Sequence, residues 1–388
     1  MNPIKELSAA DYNEIFELSE FAFQYKLSEV DLLKKKEEAE RHTIWGWMEE
    51  GSIAAKLHLI PLSVYINGKS FDMGGISAVA TWPEYRRNGM VKQLLAHALN
   101  HMKENGQMLS YLHPFSVPFY RKFGWEVAFD KKHYTIPVEA LKQKWNAAGY
   151  VRRTQMDIEL FHSIYTDFAK QFNGPLTRDE KWWKQRVLAK DAMMVVCYDD
   201  NNRAEGYLFY SVKDRVFEVE ELVYRSLNGR KLLLNFIANH DSMVKEVKLT
   251  VPEKDKLPLL IGEPRFKQTV EPYFMARIVD VPGFLASYPF NEDLPDATLL
   301  LHVEDCFLPE NSGSYEITVE NGGIRIAQSD TNRREGIHCN VQELTSMLLG
   351  YRRPQELAEV GLIHADTHTL EIIEKLIPVS QTYLTDYF

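Results

Sequence analysis

Apolar positions recur at two different spacings along the first part of the chain. Ile15, Phe16, Leu18 and Phe21 follow a helical period, and Ser8 with Asp11 reads as a capping box ahead of them. Ser28 can cap a second helix through DLLKKKEEAER, a charged and solvated face. Three strand-like runs come next, Thr43 to Met48, Ile53 to Tyr65 and Phe71 to Thr81. The turn EEGS divides the first pair, and Asn67-Gly68, a strong hairpin signal, divides the second. The loop WPEYRRNG leads into a helix over VKQLLAHALNHMKE that stops at Asn105-Gly106. The strand MLSYL, the short helix VPFYRKF stopped by Gly124, and a last strand from Trp125 towards Tyr134 complete an ααβββαβαβ order. The polar stretch from Ala140 to Val151 marks a boundary.

A second segment reruns the theme. Thr177 and Glu180 form a T-x-x-E box before KWWKQRVL, and the strands AMMVVCY, GYLFYSV and VFEVEELVY follow. YRSLNGRKLLLNFIANH then echoes YRRNGMVKQLLAHALNH, about 140 residues upstream, in the same strand-loop-helix context. From about Phe284 the order changes to alternating strands (LPDATLLLHVED, GSYEITVENGGIRIAQ, EGIHCNV) and then helices, an α+β arrangement. Three domains are expected: 1–145, 146–284 and 285–388. The fold class is α/β (α+β), with mixed sheets in the first two.

Composition narrows the function. The 388 residues exceed one ordinary domain, and 45% hydrophobic with 26% charged residues is a globular mix. A net charge of −10 announces no basic nucleic-acid face and suits a cationic small molecule. Cys197, Cys306 and Cys339 follow no metal spacing and fit a reducing compartment; no metal is expected. MNPIKELSAADYNEIF has no apolar core of signal-peptide length and no run reaches the ~20 apolar residues of a membrane span, so a cytoplasmic protein without a membrane partner is expected.

The chemistry concentrates between Gly74 and Leu95. A strand ends at Thr81, the loop carries Arg86, Arg87, Asn88 and Gly89, and a helix starts at once. Backbone N–H groups at a helix start lack internal partners and the macrodipole there is positive, so the place favours anions. Gly89 permits close approach, and two arginines can add charge-assisted bonds. The stretch reads either as a pyrophosphate cradle or as an exposed basic helix cap.

YRRNGMV in this context resembles the acetyl-CoA loop of GNAT-fold N-acetyltransferases, R/Q-x-x-G-x-G/A, with Arg86 or Arg87 and Gly89 in place and Val91 departing at the final small position. Over its whole length the chain is similar to the Eis type of acetyltransferase. The matching pieces, in order, are GGISAVATWPEYRRNG, PFYRKFGWEVA, EPYFMARIVDVPGFLA, LHVEDCFLPENSGSYEITV and the ending TYLTDYF. That resemblance implies two tandem GNAT domains, the second degenerate, a sterol-carrier-like third domain, acetyl-CoA as co-substrate, an aminoglycoside-like acceptor and a homo-oligomer, hexameric in the family. It implies that Val79, Ala80 and Thr81 offer backbone groups to the pantetheine and thioester. Arg86, Arg87, Asn88, Gly89, Met90, Val91 and Lys92 would form the phosphate loop, and Phe115 and Ser116 would touch the coenzyme.

Two groups are candidates for proton transfer. Tyr120, in PFYRKFGW, aligns with the family's tyrosine beside the coenzyme sulfur; a phenol of pKa about 10 can protonate a thiolate whose acid lies near 8.5. Its ring can equally pack beside Phe119 and Phe123. The α-carboxylate of Phe388 aligns with the terminal carboxylate that serves Eis-like enzymes as base, and burial, a lowered substrate pKa or a water relay would have to close the gap to an ammonium. His113, Trp182, Trp183 and Cys197 are expected to be structural; Phe21, Phe23, Tyr25 and Glu29 could line an amine pocket, though packing fits them better. The second-copy loop keeps Arg225 and Gly229 without a counterpart of Tyr120, and is expected not to bind coenzyme. The rival reading is a non-catalytic module whose third domain binds a lipid or a partner protein.

Overall fold

A computed structural model describes residues 3–188, 191–329 and 335–388. The first segment supplies β1 (Ile4–Leu7), α1 (Tyr12–Phe23), α2 (Glu29–Ala39), β2 (Thr43–Glu49), β3 (Ser52–Ile66), β4 (Lys69–Thr81), α3 (Met90–Glu104), β5 (Leu109–Leu112), α4 (Val117–Arg121), β6 (Glu126–Val127) and β7 (Asp130–Pro137). The second supplies β8 (Tyr150–Arg153), α5 (Ile158–Ala169), α6 (Glu180–Trp182), β9 (Met193–Tyr198), β10 (Ala204–Lys213), β11 (Val216–Tyr224), α7 (Leu227–Ala238), β12 (Glu246–Val251), β13 (Lys267–Pro272) and β14 (Met275–Ile278). The third supplies α8 (Val281–Ser287), β15 (Ala297–Glu304), β16 (Gly313–Glu320), β17 (Gly323–Ser329), β18 (Ile337–Asn340), α9 (Val341–Leu349), α10 (Pro354–Glu359) and α11 (Thr367–Leu376).

Two seven-stranded sheets, ordered β1-β2-β3-β4-β5-β14-β6 and β13-β7-β12-β11-β10-β9-β8, and a four-stranded sheet, β17-β16-β15-β18, follow from these elements. The two large sheets exchange strands. β14 lies beside β5 in the first sheet, and β7 pairs with β12 in the second. The run from Trp125 towards Tyr134, expected to be one strand of the first domain, is therefore two: β6 stays, and after Ala128-Phe129 the chain crosses as β7. The crossing is pinned by Tyr273 N donating to Phe129 O at 2.8 Å and Ala128 N donating to Phe274 O at 3.1 Å. Alternation within such a run is the same whichever sheet receives it, so local pattern cannot choose.

Helix starts follow their caps. Ser8 and Asp11 close a capping box over a 3-10 turn that opens α1, and the Ser28 side chain accepts from Asp31 N. Before α6 the cap is Asp179, which accepts from Trp182 N at 2.6 Å, two residues after the Thr177 of the expected Thr177–Glu180 box. The Thr177 hydroxyl instead donates to Ser63 O at 3.4 Å, and the carboxylate adds a favourable charge at the positive helix end.

The first sheet buries both faces. Leu57 and Leu59 pack under Leu94, Leu95, Ala98 and Leu99 of α3, while Ile44, Ile53 and Ala80 meet Ile15, Phe16 and Leu18 of α1. Its far end shares one core with the third segment, where Ile60, Val64 and Tyr111 join Leu299, Leu301 and Phe388. Arg277 on β14, fully buried, pairs with Asp305 at 2.5 Å and locks that junction.

Candidate active site

β4 and β5 run parallel from Met73–Leu109 to Ile76–Leu112 and then part. β4 continues along β3 to Thr81, whereas the chain after β5 turns through residues 113–116 into α4. The register between β3 and β4 slips between Lys56–Ala80 and His58–Ser77, leaving Ala78 and Val79 together opposite Leu57. Ala78, in this bulge, has φ +48°, the left-handed region. A bulge re-aims backbone groups, and here the Ala78 carbonyl turns to the Lys56 amine.

The loop after β4 closes this opening at one end. Arg87 and Gly89 have φ of +70° and +78°, and Gly89 stands at the N-cap of α3 without any side-chain cap. A Cβ built on Gly89 would meet nothing within 4 Å, so the approach to the helix start is open. Arg86, Arg87, Asn88, Gly89 and Lys92 are exposed, Val91 is half-buried, and Met90 is turned into the core. Arg86 Nε reaches Thr81 O at 3.4 Å. Thr81 Oγ1 is buried and has no hydrogen-bond partner among the described residues. Free first-turn amides, a positive helix end and exposed guanidinium groups make this a fit receptor for a diphosphate.

The second copy of the loop is built differently. Ser226 caps α7 by accepting from Gly229 N at 3.0 Å, and Ser226 also bonds Glu205. A Cβ on Gly229 would stand 2.6 Å from Glu205 O. Arg230 is buried against Asp255 at 2.7 Å, and Arg225 pairs with Asp167 at 2.6 Å. Amides and cations that are offered to solvent in the first loop are used internally in the second.

Tyr120 lies on α4, 3% exposed, with its ring 5.1 Å from Phe119, 5.5 Å from Phe115 and 6.2 Å from Trp125. Its hydroxyl has no hydrogen bond to a described residue. Burial pushes the phenol well above its ordinary value, so it stands as a proton-bearing donor. Ser116 is the N-cap of α4 with no side-chain bond, and Phe115 is 72% exposed at the mouth of the opening.

The chain end is clamped across all three segments. Arg178 binds Asp386 at 3.0 Å and Glu221 at 2.5 Å, with both arginine and aspartate side chains nearly inaccessible. Trp182 Nε1 donates to the same carboxylate at 2.7 Å, and Tyr273 OH to Asp386 O at 3.0 Å. Phe388 then lays its ring, 6% exposed, edge-on to Phe274 at 4.9 Å and near Trp182 at 6.2 Å. The ring covers Gly75 of β4, where a Cβ would stand 2.7 Å from Phe388 Cε2. At about 3.3 Å per residue, Gly75 is ~13 Å of strand or less from Val79, so the Phe388 ring and the bulge lie on one strand.

The remaining candidates divide cleanly. Trp182 and Trp183 are buried helix residues, and burial raises the Cys197 thiol to about 12, which makes it inert. His113 is exposed, with its ring beside Tyr273, Phe274 and Tyr387. Phe21, Phe23 and Tyr25 are exposed rather than packed, and Phe21 lies 4.7 Å from Trp82 at the end of β4. Sequence reasoning passed over a polar cluster beneath the bulge, the buried Lys56 and His58 with the half-buried His42. Its signal was a lysine and a histidine two apart, hence on one face, in the otherwise apolar run SIAAKLHLIPLSVYI.

Known families match the chain in the same order as its sheets. Two acetyltransferase (GNAT) domain families match residues 3–128 and 174–278, and the sterol carrier protein domain family matches 281–385. The chain belongs to the GNAT acetyltransferases and is an acyl-CoA-dependent N-acetyltransferase. An Enterococcus faecalis V583 protein described as "Probable N-Acyltransferase" superposes with a TM-score of 0.92 at 27% identity over 99% of both chains. The N-acetyltransferase Eis of Mycobacterium tuberculosis is 24% identical over 73% of this chain and 72% of its own length. Eis1 from Mycobacterium abscessus shares the fold over 99% of this chain and all of that one, with a TM-score of 0.82 at 21% identity. Within the family this is an Eis-like enzyme, with tandem GNAT units followed by a sterol-carrier-like unit. Its fold implies acetyl-CoA as co-substrate. Among the described residues, no helix is long and apolar enough to cross a membrane.

Proposed function

We propose that the protein transfers acetyl from acetyl-CoA to a primary amine of a cationic acceptor, aminoglycoside-like, polyamine or lysine, by direct attack of the amine on the thioester. The observation that carries this reading is the open, uncapped start of α3 beyond the parted β4 and β5, with Tyr120 on α4, the helix that follows β5. Backbone and side chains of Arg86, Arg87, Asn88, Gly89, Met90, Val91 and Lys92 take the diphosphate. Val79, Ala80 and Thr81 face the pantetheine and thioester, with Phe115 and Ser116 opposite. The N–H of Val79 holds the oxyanion that develops as the amine adds, a contribution of about 3 kcal/mol in comparable sites. Tyr120 returns a proton to the departing sulfur, and the Phe388 carboxylate, directly or through water, takes the ammonium proton.

By role the chain divides into a catalytic unit (1–145), a supporting unit (146–284) whose loop is sealed against coenzyme, and a third unit (285–388) that delivers the tail. The protein works as a homo-oligomer, hexameric by analogy, in the reducing cytoplasm that three free cysteines suit. The test offers acetyl-CoA with a panel of aminoglycosides, polyamines and lysine peptides, and reads free thiol and acetylated mass. Thiol release that depends on an amine is expected. Absence of coenzyme binding, with stabilisation by a lipid instead, would overturn the reading.

A further inference from the structure

Lys56 is an unusual residue for its place. It is fully buried on β3, and no carboxylate pairs with it among the described residues. Its Nζ donates to Ala78 O at 3.0 Å and lies 3.1 Å from His58 Nε2; His58 Nδ1 is in turn 3.2 Å from His42 Nδ1. One arrangement of protons satisfies the whole chain: Lys56 donates to His58 Nε2, His58 Nδ1–H donates to His42 Nδ1, and both imidazoles stay neutral. Burying an amine without an anion is costly, and a structural role would be served better by an apolar side chain.

The acceptor of the Lys56 bond explains the cost. Ala78 and Val79 are the bulge, and the carbonyl of Ala78 belongs to the same peptide as the N–H of Val79. None of the described peptides is cis, so these two groups point in opposite directions. A cation on the carbonyl draws charge from the amide and strengthens the N–H as a donor, as in any polarised hydrogen-bond chain. The same bond fixes Ala78 at φ +48°, where an alanine is held only by its surroundings. The geometry also keeps Lys56 from the reacting atoms, because a thioester on the N–H side has the peptide between itself and Nζ.

We propose that Lys56 is a positioning residue for acetyl transfer, its ammonium clamping and polarising the Ala78–Val79 peptide so that the Val79 N–H is a stronger, pre-aimed oxyanion donor. The proposal rests on the functional reading above, in which Val79 faces the thioester. Burial lowers Lys56 to about 7, so its charge changes near neutral pH. The neighbouring groups do not. Burial, followed by surrounding cations, takes His42 to about 3 and holds His58 well below its ordinary value. Lys35 of α2 and Arg186 share Glu38, Arg41 is paired with Asp179, and Glu14 of α1 is bonded to Ile53 N. The donor therefore weakens as pH rises through about 7.

The test reads the carbonyl itself. The infrared stretch of acetyl-CoA labelled with 13C at the carbonyl, bound to the whole protein without any acceptor, reports hydrogen bonding to that oxygen. In the wild type it should move to higher wavenumber between pH 6 and pH 9 with a midpoint near 7; a position constant over that range overturns the proposal. In Lys56→Met the stretch should sit high at every pH. The kcat with spermidine or kanamycin should fall by about tenfold, with the affinity for acetyl-CoA within twofold, since one donor is weakened and not removed. Lys56→Arg, which keeps its charge, should retain the low stretch at pH 9. Wild-type frequency and kcat in Lys56→Met would overturn it as well. A protein that binds labelled coenzyme but acetylates no amine would sink the proposed function while the carbonyl still reports on Lys56.

Discussion

Replacing Gly75 by alanine tests how the tail serves the reaction. The new methyl would stand 2.7 Å from Cε2 and 3.0 Å from Cδ2 of Phe388, inside the ~3.5–4.0 Å at which carbon atoms rest. Phe274 and Trp182 flank the ring, so it cannot slide aside without giving up its seat. Burying a phenylalanine is worth about 1.5–3 kcal/mol and an edge-on aromatic pair adds ~0.5–1.5. A loss of about 3 kcal/mol lowers the docking constant of the last residue by roughly a hundredfold. The clamp at Asp386 survives, which tethers the tail and limits the effect, so kcat should drop by about 10- to 100-fold while acetyl-CoA affinity stays within twofold. Release of Phe388 by carboxypeptidase supplies an independent measure of undocking and should quicken. Faster release with an unchanged kcat would remove the terminal carboxylate from the mechanism. No change in either would refute the seat on Gly75.

Tyr120→Phe keeps all three ring contacts and removes a hydroxyl without a described partner, so thermal stability should hold within about 1 kcal/mol while kcat falls by about 10²-fold or more; an unchanged kcat would end the acid role. Arg178→Met leaves the buried Asp386 and Glu221 without their cation and should cost about 3–5 kcal/mol in urea unfolding, against little change for a surface control such as Arg265→Met. Lys56 binds fewer protons in the folded chain than in the unfolded one from about pH 7 up to its unfolded value. Wild-type stability relative to Lys56→Met should therefore rise with pH across that window, and a flat difference would contradict its burial as a weakened base. Ser226→Gly should loosen α7 slightly and leave coenzyme stoichiometry at one per chain, whereas a second bound coenzyme would show the second loop to be competent.

Much of the architecture was legible because local pattern and final contact agree. The strands at Thr43, Ile53 and Phe71, the helix that follows Gly89 and the short helix bearing Tyr120 lie where alternation, Asn-Gly turns and glycine stops put them. The exchange of β7 and β14 was not legible, since a strand edge carries no label for its sheet. Nor was the Asp179 cap, where Thr177 and Asp179, two residues apart, both offer cap chemistry and tertiary contacts decide. At the site, the open start of α3 could be read from residue types alone, because a glycine at the cap leaves the first-turn amides without a side-chain partner. The Lys56 cluster could not, since a long side chain in an apolar run is as often the snorkelling edge of a strand, and only the bulge brings Ala78 O to its amine. The clamp between Arg178 and Asp386 joins positions 208 apart in sequence and belongs to the same class.

The central claim is that coenzyme diphosphate rests on the amides that open α3, which places the acyl group between the β4 bulge and Tyr120. A crystal structure of the protein soaked with acetyl-CoA measures this directly. Phosphate oxygens within hydrogen-bond reach of the backbone from Gly89 to Lys92, and sulfur beside the Tyr120 hydroxyl, are the predicted result. Coenzyme seated instead at the start of α7, or an opening between β4 and α4 that stays closed to it at saturating concentration, would contradict it.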